Sequence, residues 1–208
     1  MARSWRRFSG VAAIAVLWSS LGAASAVGGF PLLGRQPLSW LVAAGPWPAA
    51  LYRAGLAGGA VLLVAFHGQV RTRYRVGRGF SVAMLAGLGG QLVAAFVPID
   101  GTPPAHRAHT VAALALGASL PVLMWRFAAA QSPGPWRRRA YRLAQVEAAA
   151  CVVGVLLSRH GIAPPAEIVP AAAFHLWIVV LTLAGRAGGR HDAPGTAVAD
   201  SQATPILA

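Results

Sequence analysis

Apolar and polar positions fall in long blocks along this chain, without the short period of a helix half-exposed to water. Runs of about twenty mostly apolar residues recur, parted by short stretches of arginine, proline and glycine. A run of that length suits a helix crossing the roughly 30 Å hydrocarbon core of a bilayer. The pattern predicts six spans, near Phe8–Phe30, Ala49–Phe66, Phe80–Val97, Ala108–Trp125, Ala140–Leu157 and Ile168–Ala184. Each must be helical, because lipid satisfies no exposed backbone group. The chain thus reads as an all-α, polytopic membrane bundle. It divides into a basic N-terminus (1–7), a six-helix transmembrane domain (8–185) and a disordered tail (186–208) of Gly, Pro, Ala, Ser and Thr. Between the first two spans, Pro31, Pro37, Pro46 and Pro48 break regular helix, while Trp40 and Trp47 suit the headgroup level. This segment reads as an interfacial loop with a short helix near Leu38–Ala44. Ala24-Ser25-Ala26 resembles a small-residue cleavage site, but the further spans favour a retained first helix over a cleaved signal.

Composition agrees with the pattern. Hydrophobic residues make up 56% and charged residues 11%, against about 25% charged in an ordinary soluble domain. The net charge of +13 raises nucleic acid as a partner, yet the basic residues, all arginine, sit in clusters at the ends of spans. Arg3–Arg7, Arg71–Arg78, Arg126–Arg142 and Arg186–Arg190 fall on one side, leaving Arg35, Arg53, Arg107 and Arg159 on the other. That alternation is the positive-inside signature and puts both termini in the cytoplasm. Nucleic acid is therefore not expected; anionic lipid headgroups at the cytoplasmic face are the natural counter-charge. Abundant Ala, Gly and Arg without lysine suggests a GC-rich bacterial genome, hence a bacterial plasma membrane. Cys151 is the single cysteine, so no intramolecular disulfide can form, and it reads as a small packing residue.

Ionisable groups at membrane depth are costly and face a bundle interior or a wet cavity. They fall here into two layers. The outer one holds Asp100, His106, His109, Glu167 and His175, with Gln91 near it; the inner one holds His67, Gln145 and Glu147. Pro98 and Asp100 before His109, and Pro165 and Glu167 before His175, share an order that could be a worn parallel repeat. His106 and His109, three apart at a helix start, can share a face. With Asp100 and His175 they make a candidate zinc set, which would activate water for hydrolysis of a lipid. No His-Glu-x-x-His motif is present. A capping role for Asp100, an Asp100–His109 hydrogen bond or ion pair and interfacial histidines form the simpler account. Glu147 can pair with His67 or Arg142, as in a structural tie or in a proton-coupled transporter.

Phe96, Pro98, Asp100 and His109, at the joint between spans three and four, resemble the bacterial membrane family called domain of unknown function 998. Gly161, Glu167 and Trp177 in the last hairpin fit it in outline, although Val97 parts Phe96 from Pro98. The resemblance covers about residues 8–185. It implies a six-helix inner-membrane protein and brings no established activity. The expectation is a non-enzymatic sensor, lipid-binding or accessory module with an outward-facing Asp/His site and no required cofactor. A metal-dependent membrane hydrolase is the alternative and a proton-coupled transporter the third reading.

Overall fold

A computed structural model describes residues 8–97 and 102–187, with side chains as far as Ala184. The protein is all-helical over these residues. Six helices are long and apolar enough to span a membrane: α1 (Ser9–Gly28), α2 (Pro46–Tyr74), α3 (Arg78–Phe96), α4 (Pro103–Ala129), α5 (Pro135–Arg159) and α6 (Ala163–Ala187). A 3-10 turn, Leu38–Val42, lies between α1 and α2.

The helix ends follow local chemistry. Proline occupies the first turn of α2, α4 and α5, where a missing N–H costs no intrahelical bond. Gly29 ends α1 in the left-handed region, and the N–H of Phe30 reaches back to the Ser25 carbonyl. Several helices outrun their apolar blocks. α2 continues through Arg71 and Arg73 to Tyr74, so the basic turn shrinks to residues 75–77. α5 begins at Pro135 and takes the Arg137–Arg139 cluster into its first turns. Backbone hydrogen bonding continues past the apolar blocks, since these arginines are good helix formers.

Sequence neighbours pack as antiparallel hairpins, and α6 returns to α1, so the six helices close into a ring. The backbones of α3 and α4 approach at Gly90, where an added Cβ would stand 2.5 Å from the Ala112 carbonyl oxygen. Gly55 and Gly59 give α1 the same access to α2, through Ser20 and Leu17. Such small residues let backbones approach where no hydrophobic force drives helices together. Gly89, by contrast, faces open space. The core lies toward the arginine-rich end. Phe66, Phe80, Phe127, Phe174 and Trp177 come from four helices, and Trp177 meets Phe127 edge-on at 5.5 Å. Tyr74 adds an edge contact to Phe127 at 5.0 Å and donates its hydroxyl hydrogen to the Leu181 carbonyl at 3.4 Å.

Two helices carry internal prolines, Pro121 in α4 and Pro170 in α6. Each lacks the N–H that would bond four residues back, which frees the carbonyls of Gly117 and Ala166. Both of these carbonyls face α5. The Cys151 thiol approaches Gly117 O at 3.7 Å, and Gly154 packs so closely that a Cβ there would lie 2.5 Å from Ala166 O. Neighbouring helices commonly serve freed carbonyls this way in lipid.

Candidate functional site

The outer polar residues of the sequence reading separate into ties between different pairs of elements. His109 is buried near the start of α4, and its Nδ1 lies 2.9 Å from the Val97 carbonyl at the end of α3. A carbonyl only accepts, so Nδ1 carries the hydrogen and the contact closes the α3–α4 hairpin. His106, one turn earlier, is exposed, so the two histidines do not share an environment. Asp100, the acid expected beside them, lies outside the described residues.

On α6, His175 accepts a hydrogen bond at Nδ1 from the Trp18 indole N–H at 2.9 Å, tying α6 to α1. Indole only donates, so the neutral ring carries its hydrogen on Nε2. Both ring nitrogens are then committed, and His175 offers no lone pair to a metal while the Trp18 bond holds. Glu167 reaches the 3-10 turn, where its Oε2 accepts from the Leu38 N–H at 3.1 Å. That carboxylate caps a turn whose Leu38 and Leu41 are buried, fixing the loop over the ends of α1, α2 and α6. The matching histidines of the two hairpins therefore serve different partners, Val97 for His109 and Trp18 for His175. Among the described residues no three His, Cys, Asp or Glu side chains gather as a metal-holding group.

The other polar groups sit deeper. Gln91 on α3 is buried and donates through Nε2 to the Leu56 carbonyl of α2 at 2.7 Å. Beside it is a cavity of about 20 Å³ lined by Leu63, Met84, Gly87, Ser119 and Phe174, enough for roughly one water. His67 pairs with the Ser81 hydroxyl of α3 at 3.0 Å and stacks on Phe80 at 5.7 Å. It lies about 10 Å from the end of α2 at 1.5 Å per residue. Glu147 stands midway between Pro135 and Arg159, about 18 Å from either end of α5. The inner layer expected from sequence thus splits, and His67 and Glu147 keep separate partners.

Glu147 has one carboxylate oxygen partnered and the other not. Its side chain is 0% exposed, and Oε1 receives the Cys151 Sγ at 3.5 Å. Oε2 is buried with no hydrogen-bond partner among the described residues. No ion pair to it is present among them either. The sequence singles out Glu147 and gives Cys151 only a packing role, where the structure makes it the partner of Glu147. No pattern in the sequence marks Trp18 or Ser81 as partners. No protein-family model, curated protein or solved structure matches the chain.

Proposed function

We propose that this chain is a non-enzymatic multi-pass protein of a bacterial plasma membrane, serving as a sensor, lipid-binding or accessory module. Both termini face the cytoplasm, and the arginine-rich end meets anionic headgroups. The observation carrying this reading is the dispersal of polar groups. His109, His175, Glu167, Gln91 and His67 each tie one pair of elements, to Val97, Trp18, Leu38, Leu56 and Ser81. Catalysis needs reacting groups that converge on one point. Orientation rests on the arginines: Arg71, Arg73, Arg126 and Arg137–Arg139 lie at one end, Arg35, Arg53, Arg107 and Arg159 toward the other. The likeness of Phe96, Pro98, Asp100 and His109 to the domain of unknown function 998 belongs to the same reading.

The alternative, a zinc-dependent lipid hydrolase built on Asp100, His109 and His175, would require His175 to give up Trp18. A proton-coupled transporter draws on Glu147. Native mass spectrometry of the full chain released from detergent separates these readings. Anionic phospholipids should stay bound and weaken when Arg137, Arg138 and Arg139 become glutamine. One zinc per chain, lost in His109→Ala, would overturn the proposal and put the hydrolase first.

A further inference from the structure

We propose that Glu147 is a proton-binding site at the middle of the membrane, coupled through Cys151 to the proline kink of α4. This stands apart from the outer-face reading and does not depend on it. Three observations meet at one point. Glu147 is fully buried halfway along α5, with Oε2 unpartnered among the described residues. Cys151, one turn on, approaches Glu147 Oε1 at 3.5 Å and Gly117 O at 3.7 Å. Gly117 O is the carbonyl that Pro121 leaves without an intrahelical donor.

The thiol has a single hydrogen for two acceptors. That gives the cluster two arrangements. With a proton on Glu147, the carboxyl O–H donates to Sγ and the S–H donates to the Gly117 carbonyl, so Sγ and Gly117 O are both served. When the proton leaves to solvent, the carboxylate takes the S–H, and Gly117 O loses its donor in the low-dielectric interior. An unmade hydrogen bond there costs more than one exchanged with water. Proton loss therefore loosens the α4–α5 contact at the kink, and proton uptake tightens it. Cys151 is the titratable group beside the carboxyl on α5. Among the described residues α4 faces the cluster with a backbone carbonyl, and neither α4 nor α6 sets a charged group against Glu147. Further along α4, Ser119 and Leu120 line the water-sized cavity, two and three residues from Gly117.

The test is carbodiimide labelling of the full chain in liposomes, because the reagent modifies protonated carboxyls in apolar surroundings. Peptide mass analysis should find the label on Glu147, falling about tenfold for each pH unit above a midpoint. In Cys151→Ala that midpoint should move, because the thiol that serves the carboxylate is gone. Infrared difference spectra after a pH step give an independent readout. A carboxyl C=O band should vanish on alkalinisation and be missing in Glu147→Gln. Labelling that ignores pH, or spectra without that band, overturns the proposal.

Discussion

Single side chains decide how closely these helices meet. The Gly90 hydrogen stands where a methyl group would strike the Ala112 carbonyl at 2.5 Å, and backbone cannot swing aside as a side chain can. Gly90→Ala should cost about 1–3 kcal/mol, read as a lower melting temperature in detergent. Gly89→Ala, next in sequence but facing open space, should be neutral or slightly stabilising in the same assay. Both are glycines of the same helix, yet of the two only Gly90 meets its neighbour. Composition reports that a helix has small residues; the rotation of the helix decides which of them meets a neighbour. The histidines follow the same rule. Their presence in apolar runs marked them as costly and partnered, but the partners Val97, Trp18 and Ser81 are ordinary residues with no pattern to betray them.

At the scale of elements, α5 is the helix on which its neighbours depend. Two prolines, one on each adjoining helix, free carbonyls that Cys151 and Gly154 of α5 cover. A double-mutant cycle measures the first of these contacts. Cys151→Ala alone should destabilise by about 1 kcal/mol. With Pro121→Ala, the backbone regains its own donor for Gly117 O, and the same cysteine change should then cost little. A coupling near zero in thermal unfolding would remove the contact from the account. The six elements themselves were readable, because block length against bilayer thickness is a strong constraint. Their ends were less so: α2 and α5 run on into arginine-rich sequence where hydropathy falls but helix propensity does not. The 3-10 turn was expected near Leu38–Ala44 and occupies Leu38–Val42, held by a glutamate distant in sequence.

For the whole molecule, the proposed orientation makes a direct prediction. In a Cys151→Ala background, a cysteine at Gly34 should react with an impermeant maleimide on intact cells. One at Gly77, exposed in the short turn between α2 and α3, should react only after the membrane is opened. The reverse pattern would invert the topology drawn from the arginines. Charge asymmetry is legible because the arginines cluster at the ends of the apolar blocks, whether the backbone there is turn or helix. Ring closure of α6 on α1 and the depth of Glu147 were not, since they depend on where helices begin and which faces meet. The paired proline carbonyls also bear on how the protein is made. A helix leaves the translocon before its later neighbours exist, so α4 enters lipid with Gly117 O unserved until α5 follows. α6 then arrives with its own bare carbonyl at Ala166 and finds the receiving surface already in place. Order of synthesis and order of satisfaction coincide, and α5 acts as the template on which biogenesis of the second half is completed.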